Sequence, residues 1–359
     1  MNKKVIWSVI IIIVVVILII AGTHKQAQAP QGQNQQGKVF TVGSVLALTG
    51  TSAIWGETVK NGMELALANK PEIKMLYEDS RSTAPDGISA FNRLQEQHVD
   101  LTVSELSFVS VPLAKLALER KVPLFVTLSA TSPKAVVNDY TVRYYVDPKH
   151  YSGPAFFSTT SPAYAAKKIA VLYRNDELGA AVKDEITKIA ADRSKDIVYI
   201  EAYKPNETDF STMITKVKNS KAEVFVFVVS TPGEAVAVVK TGSRLGLTIP
   251  MVEASGVFAD MTNRKEVEGI PYYSTSFDFS LNTPETNAFK NAYKTAYGKE
   301  PGFGAAFGYD VANLIYQCRT ETDVLACVRA VKQNKGMAGT AEQVGPGDFS
   351  VTMHVEKVN

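Results

Sequence analysis

Val224-Phe225-Val226-Phe227-Val228-Val229 is apolar at every position. A strand with one face in water alternates apolar and polar residues, so an unbroken run of this kind belongs to a strand covered on both faces. Stretches of helical spacing flank it near 209–219 and 232–245. Moving outward, strands are expected at 169–173, 197–203 and 249–253, with another helix near 177–192. An earlier series places strands at 39–46, 73–77, 101–106 and 123–128, separated by helices over 53–69, 85–97 and 111–120. Strands alternating with helices imply parallel sheets joined by right-handed crossovers. Two such series imply an α/β protein of two lobes. The tail reads as helices at 284–297, 305–318 and 323–334 and a strand-like segment at 349–356. Helices that follow the second lobe can return to the first, which gives a border crossed more than once and suits a hinge. The expected division is 38–154 plus 276–334 for lobe 1 and 155–275 plus 335–359 for lobe 2.

The 359 residues carry 38 Lys and Arg against 36 Asp and Glu, a formal net charge of +2. A nucleic-acid partner is not indicated at that balance, because such domains carry a basic face or stripe. Lys3 and Lys4 precede an apolar run from Val5 to Gly22 broken only by Ser8. As a helix it spans roughly 27 Å, close to the thickness of a bilayer core. We read 1–22 as an uncleaved signal anchor, with a cleaved secretory signal as the alternative, since Ala27-Gln28-Ala29 imitates a cleavage site. The two lysines favour a cytoplasmic N-terminus and an exported body. Residues 23–37, rich in Gln, Ala and Gly, form a flexible stalk next to the membrane.

Two cysteines occur, Cys318 and Cys327. An oxidising compartment permits them to pair, and helices joined by a short turn would bring them close. Two reduced, buried thiols are the other reading. Neither has the spacing of a metal site, and no cofactor is implied.

In order from about Lys38 to the C-terminus, several motifs resemble those of the type I periplasmic binding proteins, the branched-chain amino acid and amide group. They are Gly43-Ser44-Val45-Leu46-Ala47-Leu48-Thr49-Gly50 with Trp55-Gly56 and Asn61-Gly62-Met63-Glu64-Leu65-Ala66, then Glu78-Asp79-Ser80, then Ser129-Ala130-Thr131-Ser132-Pro133. Thr208-Asp209-Phe210-Ser211, Tyr297-Gly298-Lys299-Glu300-Pro301 and Tyr309-Asp310-Val311 follow. The resemblance implies two Rossmann-like lobes joined by a three-strand hinge and closing on a small-molecule ligand. It also implies delivery of that ligand to an ABC transporter permease.

A carboxylate held between lobes needs hydroxyls and backbone N–H groups, often at a helix N-terminus. Ser107 and Ser110 stand just before the helix expected at 111, with Pro112 in its first turn; Ser110 also fits a simple N-cap. By family position Ser129, Ala130 and Thr131 face the same pocket, and Trp55 lies over the ligand, unless these are turn and packing residues. The chain departs from the amino acid binders at Phe108, where a small hydroxyl residue is usual, and at Tyr151, near a position often acidic. It departs again at Ser255, where those binders carry the carboxylate that holds the ammonium, although Glu253 is close by. A buried ammonium without a carboxylate is unfavourable, so these departures point to a flatter or more apolar ligand, a carboxylated aromatic or an amide.

The chain has no His-Glu-x-x-His, Gly-x-Ser-x-Gly or Walker-type loop, so no catalytic constellation is legible. Gly302, Gly304 and Gly308 lack dinucleotide-binding spacing and read as close packing. Two other roles remain open on sequence alone. One is a membrane-tethered sensor or adaptor acting through a partner protein; the other is a degenerate binder used for protein contact.

Overall fold

The computed structural model describes residues 39–149, 153–257, 264–277, 283–351 and 353–358. The expected anchor at 1–22 and stalk at 23–37 lie outside them. Among the described residues no helix is long and apolar enough to cross a membrane.

The first strand series forms a parallel sheet of β1 (Phe40–Leu46), β2 (Ile73–Asp79), β3 (Leu101–Glu105), β4 (Leu124–Thr127) and β5 (Thr141–Tyr145), in spatial order 2-1-3-4-5. Its crossovers are α1 (Ala53–Leu67), α2 (Ala84–Glu96) and α3 (Ser107–Arg120). The second series repeats the plan with β6 (Lys168–Arg174), β7 (Asp196–Tyr203), β8 (Val224–Val228), β9 (Met251–Glu253) and β10 (Tyr272–Phe277), in order 7-6-8-9-10. Here α4 (Glu177–Asp192), α5 (Ser211–Asn219) and α6 (Pro232–Arg244) connect the strands. The all-apolar run is β8, buried at every position between β6 and β9, as its composition requires.

The tail returns to the first lobe. Tyr297 of α7 (Pro284–Tyr297) donates to the backbone oxygen of Asn61 at 2.9 Å, and α8 (Phe303–Cys318) lies across α1. The two backbones approach so closely that a Cβ on Gly62 would stand 2.0 Å from the oxygen of Ala305. One on Gly308 would stand 2.2 Å from that of Val59. The glycines after Pro301 therefore include a helix-crossing residue. Cys318 ends α8 and forms a disulfide with Cys327 of α9 (Val324–Ala330), Cα to Cα 5.6 Å.

Two expectations about the tail need correction. The helix read over 323–334 stops at Ala330, and β11 (Gln333–Lys335) follows. Residues 335–359 do not sit together with the second sheet. β11, β12 (Thr340–Gly345) and β13 (Asp348–Val351) extend the first sheet beside β5, and only β14 (Met353–Val358) pairs with β10 of the second. The reason is electrostatic as well as apolar. Arg143 of β5, fully buried, holds both carboxylate oxygens of Asp348 at 2.7 and 2.9 Å. Likewise Ser276, expected in lobe 1, lies in β10. The chain thus passes between the sheets three times, after β5, after β10 and between β13 and β14.

Candidate functional site

In an open parallel sheet, the loops leaving the carboxyl ends of the strands diverge where the strand order reverses, and a crevice opens there. In the first sheet the reversal lies between β1 and β3, and in the second between β6 and β8. One cleft is lined from both. Ser52 and Trp55 follow β1, and Leu106, Ser107 and Phe108 follow β3. From the second sheet, Asp176 and Leu178 follow β6, Ser230 follows β8, and Ser255 and Val257 follow β9. Leu128, Tyr145 and Phe303 complete the lining, and the cleft takes in 510 Å³ of space including its open mouth.

The backbone is strained where it meets the cleft. Leu106 has φ 63° and Leu128 has φ 45°, both in the left-handed region that a branched residue avoids. Strain of this kind persists where surrounding structure enforces it, and it clusters at binding sites. At Leu106 it turns the chain sharply off β3, so α3 begins at Ser107, not at 111. Ser107 therefore sits at the helix N-terminus and lines the cleft. Ser110 falls inside the first turn, fully buried, and shares a 2.8 Å hydrogen bond with Ser104; it neither caps the helix nor lines the cleft.

The Ser129–Thr131 loop supports the site from behind. Ser129 Oγ donates to Ser107 Oγ at 3.2 Å, and one guanidinium nitrogen of Arg143 donates to the carbonyls of Ser129 and Thr131 at 3.2 and 2.5 Å. Ala130 and Thr131 are buried and are not among the cleft-lining residues. Asp147 is drawn into the same buried charge group, 3.5 Å from Arg143.

Trp55 spans the cleft. Its ring packs on Phe303 at 5.2 Å, and its Nε1 donates across to the backbone oxygen of Ser230 at 3.2 Å. Behind it, Phe277 of β10, Tyr145 of β5 and Phe303 and Phe307 of α8 form a ring cluster with centroid distances of 4.8 to 6.3 Å. Trp55, Phe108, Tyr145 and Phe303 line the cleft, and Phe277 and Phe307 pack behind them.

Ser255 lines the cleft, but Glu253 does not. Burial pushes the Glu253 carboxyl up, and its oxygens are taken by the Ser255 N–H at 2.5 Å, Ser255 Oγ at 2.6 Å and Ser274 Oγ at 2.9 Å. It fixes the loop that presents Ser255, which in turn donates to nothing in the cleft wall and accepts from the Val229 N–H. Tyr151 lies outside the described residues. Of the residues chosen from sequence, the structure gathers Trp55, Ser107, Phe108 and Ser255 around the cleft.

Sequence reasoning missed Asp176 and Ser230. The signal for Asp176 was present: an Asp between a strand end and a helix start is an N-cap in a βα turn. Its Oδ1 accepts the Gly179 N–H at 2.8 Å. Tyr145 and Phe303 had no such signal, since each reaches the cleft through packing between distant segments. Among the described residues, no group of three or more His, Cys, Asp or Glu is placed to hold a metal ion.

Comparison with known proteins agrees with this geometry. A family model described as "Periplasmic binding protein" matches residues 39–341. The chain is 25% identical over 231 residues to the Leu/Ile/Val-binding protein homolog 2 of Brucella abortus (strain 2308), and the match spans 61% of each chain. It superposes on a solute binding protein of an ABC transporter from R. palustris, solved in complex with 4-hydroxybenzoate. The TM-score is 0.80 at 20% identity, over 89% of this chain and 93% of the other. A branched-chain amino acid transporter substrate binding protein from Streptococcus pneumoniae, in complex with isoleucine, gives a TM-score of 0.75 at 20% identity, over 90% and 97%. At such identities the two structures speak to fold alone.

Proposed function

The chain belongs to the type I periplasmic binding protein family, and we propose that it captures a small carboxylate with a flat or apolar body between its lobes. The cargo then passes to an ABC transporter permease. The observation that carries this reading is the meeting of both strand-order reversals on one cleft whose wall is aromatic and whose polar groups are few.

Ser107 supplies a hydroxyl at the positive end of α3, the place in the cleft best suited to an anion. Trp55, Phe108, Leu178 and Phe303 offer flat and branched apolar surfaces to the body of the ligand. A ligand touching both lobes stabilises the closed arrangement more than the open one and so shifts the population toward it. Solute-binding proteins of the same fold were solved with 4-hydroxybenzoate and with isoleucine, both small carboxylates with an apolar body. The apolar run at 5–22 would tether the body to the outer face of the cytoplasmic membrane, next to the transporter it serves.

The test is a thermal-shift screen of the full chain in mild detergent against amino acids, amides, aromatic acids and short-chain carboxylates. A ligand that binds only the folded state raises the melting temperature by mass action. The reading predicts a rise with one carboxylate class that Ser107→Ala removes. A folded sample that responds to none of them contradicts it.

A further inference from the structure

We propose that β7 is a self-pairing edge, through which two copies of this chain join antiparallel about a twofold axis at Ile200.

β7 reads Asp196-Ile197-Val198-Tyr199-Ile200-Glu201-Ala202-Tyr203 and forms one edge of the second sheet. An edge strand presents a row of unpaired N–H and C=O groups, and proteins blunt such edges with short strands, proline or lysine. β7 is instead eight residues long and holds neither Pro nor Lys. Its inner charge, Glu201, is engaged within its own chain by Lys216 at 2.9 Å and by the Tyr199 hydroxyl. One extra residue at Val198 interrupts the ladder with β6, two positions from the proposed axis.

The Tyr203 carbonyl accepts the Asn175 N–H at 2.8 Å on the β6 side. Successive residues of a strand turn their backbone groups to alternate sides, so those of Ile200 and Ala202 point away from the sheet. Between the two ends of β7 the exposed side chains are Val198, Ile200 and Ala202, with Ile200 45% and Val198 36% exposed. Open backbone groups beside bulky apolar side chains are what an added strand covers.

The charges point to a second copy as that strand. When Ile200 faces Ile200 of the other copy, Val198 faces Ala202 and Asp196 faces Lys204, and the twofold axis repeats each contact. Asp196 and Lys204 are both exposed, and no ion pair among the described residues uses either. Opposite charges directly across an antiparallel pair stabilise it, and like charges oppose it. With the axis one residue later, Glu201 would meet its own copy; two residues later, Ile200 would meet Lys204. The register centred on Ile200 thus joins complementary charges with matched apolar side chains, and the two second sheets continue into one.

Cysteine cross-linking of the full chain in mild detergent tests this. Cys318 and Cys327 are already joined, so an introduced thiol has no partner in its own chain. Facing Cα atoms of a hydrogen-bonded antiparallel pair stand about 5.5 Å apart, within disulfide reach. Under mild oxidation Ile200→Cys should run mostly as a covalent dimer. Ala202→Cys, about 14 Å from its own copy in this register, should give at least about five-fold less. So should Leu118→Cys, equally exposed but on α3. Equal yields from Ile200→Cys and either control overturn the assignment, because they report collision or another register. Native mass spectrometry at the same concentration reads the pairing without cross-links: the wild-type chain should be dimeric, and Ile200→Lys monomeric with an unchanged melting temperature. A monomeric wild type, or a dimer that survives Ile200→Lys, also overturns it.

Discussion

Arg143 and Glu105 are both buried in the first sheet, yet they affect stability in opposite ways. Arg143 is matched by Asp348 in a two-pronged ion pair and also holds the carbonyls of the Ser129–Thr131 loop. Replacing it with Met leaves Asp348 without its main counter-charge, and loss of one partner of a buried pair costs about 3–5 kcal/mol. Urea unfolding of Arg143→Met should show a loss of that size. Glu105, 1% exposed, accepts the Ala47 N–H at 2.8 Å, and burial raises its carboxyl from the ordinary 4.5 to about 8. Between those two values the folded chain holds a proton that the unfolded chain has released. Stability therefore falls as pH rises through that window and levels off above it. Glu105→Gln removes this titration: its melting temperature should gain on the wild type by about 3 °C or more between pH 6 and pH 9. A constant difference across that range would show that Glu105 is ionised in the fold. Residues of this kind are hard to read in sequence. Arg143 looks like a surface charge, and its partner lies 205 positions away. The places of Ser107 and Trp55 beside the cleft were legible because they follow from local position at a strand end, and Asp176 obeys the same logic.

At the scale of elements, long periodic helices were the most legible: 284–297 and 177–192 coincide with α7 and α4. The short strands β5, β10, β11 and β12 were not, because their pairing partners, not their composition, make them strands. The helix start at 111 was misplaced because Pro112 resembles a first-turn residue, whereas the left-handed Leu106 sets the true start four residues earlier. The crossing of α1 on α8 depends on two missing side chains. Gly308→Ala and Gly62→Ala each force a methyl into a backbone carbonyl, and overpacking of this kind costs about 1–3 kcal/mol. Denaturation midpoints should fall for both, and an unchanged midpoint would mean the helices can separate freely. The disulfide closes a short loop of separation 9 between α8 and α9. Its reduction should lower stability by about 2.5 kcal/mol on the loop-entropy estimate, read as a shift in the urea midpoint with and without reductant.

For the whole molecule, the two-lobe plan followed from the repeated alternation of strands and helices, and the return of the tail helices to the first lobe was foreseen as one outcome. The sharing of the last 25 residues between both sheets was not, since one position separates β13 from β14 and no composition change marks it. The result is a cleft lined by both lobes and bridged by Trp55 and Ser230, at the border that the chain crosses three times. On the proposed reading, ligand capture is then a property of the pair of lobes, so changes on either side of the cleft should weaken binding. The most direct test is calorimetric titration of the full chain with the carboxylate that raises its melting temperature most. The account predicts one site per chain, a negative heat-capacity change from apolar burial, and at least about ten-fold weaker binding in both Ser107→Ala and Trp55→Ala. Undiminished binding in both variants, or no binding heat from a folded chain, would contradict it.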